Sequence, residues 1–405
     1  MKILFLNQSF YPDVVSSAQH LADVALALVQ RGHQVTVLCA RRACDDPATL
    51  FKPQECWHGV RVIRVCSTGF GKDSKWGRIL DLLGLLALAS LRAFTLPRVD
   101  LVVALTSPPL IGLAGSCLAR LHGARFVHWT LDLNPDEAIA AGWLRVGSLT
   151  ALLLERAARR TLRSADCVIV LDRFMRERVL AKGVRPEALS IIPPWSHQPI
   201  VGFDPVGRRR FRRQHGLEGK FVIMYSGNHS PCHPLETVLL AAEALAGTPG
   251  VVFCFVGGGT EFRRIQRSVQ STQDRGGIAS NILCLPYQPR SQLSASLSAA
   301  DLHLVVMGNA FVGAVHPCKI YNLLTIGAPV IYIGPVPSPT SETLASAPSQ
   351  IHWAHVQHGD VPALLAQIRR IRRLSLDRKV PSSASQTVQF SPPVLIPKFI
   401  AQLES

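Results

Sequence analysis

The stretch LHLVVMGNAFVGAVHPCKIYNLLTIGAPVIYI, residues 302–333, decides the reading of this chain. Leu302–Val306 and Pro329–Ile333 are short, almost wholly apolar runs, and between them a helical pattern opens at Lys319. A strand, a helix and a second strand in that order imply parallel pairing, because parallel strands need a crossover connection. Both runs are apolar on every residue but one, which is expected of a sheet covered on both faces.

Working outward, the same alternation fills the second half. Phe221–Ser226, Val251–Val256 and Ile282–Leu285 read as further strands, with helices over Leu235–Leu245, Arg290–Ala299 and Lys319–Thr325. The first half repeats the plan. Lys2–Asn7, Gln34–Cys39, Val60–Val65, Asp100–Leu105, Arg125–Thr130 and Cys167–Leu171 read as strands, interleaved with helices over His20–Arg31, Pro109–Leu121, Leu149–Arg163 and Arg173–Lys182. The segment Ile191–Ser196 reads as the exit from this half. The expected organisation is an α/β chain of two doubly wound parallel sheets. An N-terminal domain spans 1–196, a C-terminal domain 197–380, and a tail 381–405 could cross back to the first.

Composition bounds the function. The chain has 405 residues, enough for two cores. Its 43 basic against 27 acidic side chains give +16, which favours an anionic partner such as a phosphorylated small molecule, a membrane surface or nucleic acid. No helix concentrates basic and aromatic residues as a nucleic-acid reader would, so nucleic acid is not an expected partner. The ten cysteines stand singly, several inside strand-like runs, which predicts reduced buried thiols and a cytoplasmic protein. The chain begins directly on a strand, without the apolar core of a signal peptide. One segment, Ile79–Phe94, is nearly all apolar and flanked by Lys72, Lys75, Arg78, Arg92 and Arg98. Three readings are open: a buried helix, a helix lying peripherally on the inner face of a membrane, or a short span.

Open parallel sheets bind ligands where loops follow strands. After Ser226 comes a polar loop containing Gly227, Asn228, His229 and His233. After Val256 come Gly257, Gly258 and Gly259, whose backbone N–H groups could approach an anion unobstructed. His316 and Lys319 stand where the helix opens, and a cation there adds to the helix dipole, which suits a diphosphate. Asn322 follows one turn on, and Tyr287, beyond Leu285, could stack on a base. In the first half, Asp132 is the acid–base or substrate-orienting candidate, and Ser16 and Ser17 offer hydrogen-bond donors to a bound ligand. No metal site is expected: the two loop histidines lack a third ligand at suitable spacing.

These residues resemble glycosyltransferase family 4, of GT-B fold. The run from His20 through Arg31-Gly-His33 into Val35 is similar to the N-terminal signature of that family. Asp132-Leu-Asn-Pro135 resembles the Asp-Leu-Trp-Pro segment of its bacterial polysaccharide and aminosugar transferases. Pro317-Cys-Lys319-Ile-Tyr-Asn322, followed by Gly327-Ala-Pro329-Val330, resembles the donor-binding core. The matching pieces run in order from Met1 to about Ile333. The resemblance implies two Rossmann-like domains facing across a cleft, the C-terminal one gripping a nucleotide-diphosphate sugar and the N-terminal one an acceptor. It further implies retaining, metal-independent transfer without a cofactor, to a lipid-linked or cell-envelope saccharide. The chain departs from the family where Asn322 and Ala314 stand in place of paired glutamates, and where Asn228 and His233 replace Arg and Lys. Two alternatives follow: an epimerase on the same fold, or a non-catalytic homologue that binds nucleotide sugar.

Overall fold

The computed structural model describes all residues except 14, 44–48, 67–74, 198–200, 275–280 and 377–387. Lys72, Cys44 and the expected boundary at 380/381 lie outside the described residues. The chain divides into two compact units: Met1–Pro194 with Gly313–His316 and Pro393–Ser405, and Trp195–Val312 with Pro317–Pro392.

The first unit is built on eight strands: β1 (Lys2–Leu6), β2 (Gln34–Ala40), β3 (Gln54–Trp57), β4 (Val60–Val65), β5 (Leu101–Ala104), β6 (Arg125–Trp129), β7 (Cys167–Val170) and β8 (Leu189–Ile191). Their order across the sheet is β3-β4-β2-β1-β5-β6-β7-β8, and only β3 runs antiparallel, against β4. The helices are α1 (Ser16–Gln30), α2 (Lys75–Phe94), α3 (Ile111–His122), α4 (Asp136–Ala140), α5 (Leu149–Ser164) and α6 (Arg173–Ala181).

Strand residues of one parity, Leu4, Leu6, Val102, Ala104, Phe126 and Val168, pack into a core with Ala89 and Ala93 of α2, Leu118 of α3 and Leu162 of α5. The opposite parity is buried as well, which is why these strands read as continuous apolar runs. Two helices begin away from their expected starts. α1 opens at Ser16 and not His20, and α3 opens at Ile111 and not Pro109, because Leu110 before it is left-handed at φ 73°.

The apolar segment 79–94 lies within α2, and in its described part Leu85, Ala89 and Ala93 face inward. Among the described residues no helix is long and apolar enough to cross a membrane.

The second unit opens with α7 (Pro205–Gln214) and continues β9 (Phe221–Asn228), α8 (Glu236–Ala244), β10 (Val251–Gly258), α9 (Thr260–Asp274), β11 (Ile282–Leu285), α10 (Leu293–Ser298), β12 (Leu302–Val306), α11 (Lys319–Ile326), β13 (Val330–Ile333), α12 (Pro339–Ala345), β14 (Trp353–Val356) and α13 (Val361–Leu376). The sheet is wholly parallel, ordered β11-β10-β9-β12-β13-β14. Phe221, Ile223, Phe253 and Phe255 meet Val238 and Ala241 of α8 and Leu364 and Ile368 of α13. The alternate residues Val222, Met224, Val252 and Cys254 meet Phe211 of α7 on the other face.

The last helix, α14 (Pro392–Glu404), packs with the first unit. Its Phe399 ring lies 4.3 Å from Trp129, and Glu404 bonds Arg31 and His33 at 2.9 Å each.

The arginine run 208–213 is only partly the solvated face that its sequence suggests. Arg208 and Arg212 turn inward onto Asp301, whose carboxylate also accepts the Val222 N–H. Arg209, Arg210 and Arg213 are exposed.

Candidate active site

In the second sheet, the connection after β9 leads to β10 on one side, and the connection after β12 leads to β13 on the other. The C-terminal ends of β9 and β12 therefore bound a topological switch point, where loops diverge and leave a crevice. Lys319, the first residue of α11, enters this place. Its Nζ stands 3.5 Å from the centroid of the Tyr225 ring, buried and without a hydrogen-bond partner. A cation–π contact compensates part of the lost hydration, but burial still holds the ammonium well below its ordinary pKa. A buried donor with no acceptor is costly unless something absent from the free protein accepts from it.

The loop after β9 folds around the same point. His229 is fully buried, its Nδ1 2.9 Å from the Gly227 carbonyl, while its Nε2 has no partner. His233 places Nδ1 2.7 Å from the Val306 carbonyl at the end of β12. Burial first, and the nearby Lys319 charge second, push both imidazoles down to about 3, so each is neutral near pH 7. Two neutral rings beside one lysine add no competing charge to an anion site.

Glycine is required where the β9 and β10 loops touch. Gly257 has φ 140°, and a Cβ there would fall on the Gly227 carbonyl. Gly259, at φ 116°, leaves room for the His229 carbonyl and the Asn228 side chain, and the His229 N–H donates to the Gly258 carbonyl at 2.8 Å. Gly258 lies against the Tyr287 ring. Gly227, Asn228, His229, His233, Gly257, Gly258, Gly259, Tyr287 and Lys319 thus gather at one end of one sheet. Asn322 lies a turn along α11, and its Oδ1 accepts the His197 N–H at 3.0 Å, so its side chain positions backbone.

Ser16, Ser17, Asp132 and His316 belong to the first unit. Ser16 and Ser17 open α1 behind Val15, which makes no side-chain cap. The Ser16 hydroxyl and carbonyl lie 3.2 and 2.8 Å from His20 Nδ1. His316 is held by Asp172, Nδ1 to Oδ2 at 2.8 Å, while the other oxygen of Asp172 caps α6 through the Met175 N–H. Asp132 follows β6. Burial, reinforced by the Glu137 carboxylate, pushes its carboxyl up to about 8, so it is largely protonated near neutral pH. Such a group can donate a proton or a hydrogen bond where an ordinary aspartate cannot.

Three residues outside the sequence candidates shape these sites: Tyr225 under Lys319, Asp172 behind His316, and Glu137 beside Asp132. Tyr225 is hidden in an apolar strand run. Asp172 carries a visible signal, an acidic residue immediately before a helix.

Residues 17–195 match the glycosyl transferase 4-like domain. WcaI of Escherichia coli K12, named for glycosyl transfer in colanic acid biosynthesis, is 28% identical over 343 residues, covering 81% of this chain and 82% of its own. Among solved structures, HepE of Anabaena, determined with UDP and glucose, matches with TM-score 0.71 at 17% identity, covering 100% of this chain and 99% of its own. Sucrose-phosphate synthase of Thermosynechococcus elongatus matches with TM-score 0.74 at 18% identity, covering 99% and 98%. The fold and the domain match define a glycosyltransferase of the GT-B type. The family match is to the glycosyl transferase 4-like domain over residues 17–195, and the likeness to the solved structures is one of fold.

Proposed function

We propose that this enzyme transfers a sugar from a nucleotide-diphosphate sugar held at the β9–β12 switch point. The observation that carries the reading is the buried Lys319 Nζ at the start of α11, over the Tyr225 ring and beside Gly227 at the end of β9, with no hydrogen-bond partner. Departure of a nucleoside diphosphate accumulates negative charge, and a preformed cation with helix and loop amides is what stabilises it. HepE, solved with UDP and glucose, is a fold relative in keeping with such a donor.

The transfer is proposed to retain anomeric configuration and to need no cofactor or metal, the positive field coming from Lys319 and the α11 N-terminus. Asp132, largely protonated, is assigned to the acceptor hydroxyl or its proton, and His316, held by Asp172, to the donor. The proposed acceptor is a lipid-linked or cell-envelope saccharide, in keeping with WcaI, and the proposed setting is the cytoplasmic face of a membrane, touched peripherally through Ile79–Phe94.

Purified protein incubated with each nucleotide sugar, with and without a lipid-extracted envelope fraction, tests this by product analysis. Acceptor-dependent release of nucleoside diphosphate and a glycosylated product support transfer. Conversion of the donor sugar without any acceptor favours the epimerase, and binding without turnover the non-catalytic homologue.

A further inference from the structure

We infer that the outer surface of α2, α3 and α5 is a docking face for a bilayer bearing anionic headgroups. This extends the membrane contact proposed for α2 and is independent of donor and acceptor chemistry.

The three helices lie side by side on one face of the first sheet, α3 between the other two. Each buries one stripe in the common core and turns another outward. The strongest signal is the stretch leading into α5. Trp143, Val146 and Leu149 are 61%, 82% and 71% exposed, and Leu152 and Leu153 are also exposed. Such a run of large apolar side chains along one short segment is not ordinary surface scatter. A tryptophan among them suits the boundary between headgroups and acyl chains.

Leu149, Leu153, Arg156 and Arg160 follow one another at spacings of four, three and four, so they form a single outward stripe. Its first half is aliphatic and its second half guanidinium. On α2 the exposed Leu91 and Phe94 continue the apolar surface, with Arg92 in the same last turn, and α3 adds exposed Leu121 beside Arg120.

Charge decides what covers this face. α3 and α5 contain one acidic residue between them, Glu155. That carboxylate is taken up by Arg159 and Lys182, each at 2.6 Å. A second copy of the same face would bring arginines against arginines. An anionic bilayer instead offers headgroups to Arg156 and Arg160 while accepting the leucines and Trp143.

Co-sedimentation of the full chain with vesicles tests this, comparing phosphatidylcholine alone with phosphatidylcholine mixed with phosphatidylglycerol. Binding to the mixed vesicles is expected, at least about tenfold above the neutral ones and weakened by salt. Leu149→Ser with Leu153→Ser, and separately Arg156→Gln with Arg160→Gln, should each lower it about tenfold or more. All four side chains are exposed, so unchanged thermal unfolding and nucleotide-sugar affinity in these variants confirm that only docking is lost. Failure to sediment with either vesicle, equal binding to both, or equal binding by wild type and variants would overturn the proposal. So would a dimer of the wild type in sedimentation velocity that dissolves in the leucine variant, since a second copy would then cover the face.

Discussion

The Nζ of Lys319 rests 3.5 Å from the centre of the Tyr225 ring, buried, with no hydrogen-bond acceptor. The two residues come from the start of α11 and the middle of β9, and their pairing holds a cation in a place that does not solvate it. A buried cation without an acceptor costs the free protein stability.

A first expectation follows directly. Lys319→Met keeps the aliphatic stem over the ring and removes the stranded charge, so the ligand-free protein should gain on the order of 1 kcal/mol. Thermal unfolding would show a rise of a few degrees in melting temperature. The same variant should gain nothing from added nucleotide sugar. A lower melting temperature would mean that the lysine is satisfied in the free protein.

The glycine contacts can be tested by pairing two substitutions. Gly257→Ala puts a methyl group onto the Gly227 carbonyl at φ 140°, and should cost about 2 kcal/mol or more and weaken nucleotide binding. Gly123→Ala, also left-handed at φ 65° but with open space around it, should cost about 1 kcal/mol and leave binding unchanged. Chemical denaturation and calorimetric titration would separate the two. Similar losses of binding in both variants would show that the close loop approach is irrelevant to the site.

Four histidines with lowered pKa values predict the acid limb of stability. His229 and His233 are pushed down to about 3, and His128 and His303 to about 4, in each case chiefly by burial. Below about pH 6.5 the unfolded chain takes up protons that the folded chain refuses, so stability falls as pH drops, continuing toward the folded values. Asp132 acts in the opposite sense, because its raised carboxyl keeps a proton that the unfolded chain has released. Four groups against one leave a net loss, visible as a falling denaturation midpoint between about pH 6 and pH 4. His233→Gln should flatten that fall, and an unaltered slope would contradict the burial of its ring.

The raised Asp132 carboxyl predicts the pH dependence of transfer. If Asp132 accepts the acceptor proton, the rate should climb toward pH of about 8 as it ionises, and Asp132→Asn should abolish both rate and limb while sparing donor binding. A normal pH profile in the asparagine variant would remove Asp132 from the chemistry.

Much of this was legible in the sequence because parallel strands buried on both faces are written as unbroken apolar runs, as at Phe221–Ser226 and Val251–Val256. Edge strands are not written so. The edge strands Gln54–Trp57 and Trp353–Val356 have four residues each with no unbroken apolar run, and the reading does not contain them. Lys319 stood out as a cation opening a helix after a strand. Tyr225 did not, because a tyrosine within an apolar run looks the same whether it fills a core or floors a site. Nor could the run Arg208–Arg213 announce that two of its members turn inward, for their partner Asp301 is about ninety residues away in sequence.

The most direct test of the account is calorimetric titration of UDP-, GDP-, ADP- and dTDP-sugars into wild type and Lys319→Ala. The account predicts that one donor binds the wild type and that the variant loses at least about tenfold in affinity, the scale of one charge-assisted contact to a diphosphate. Equal affinity in the two proteins, or no binding of any donor to the wild type, would contradict it.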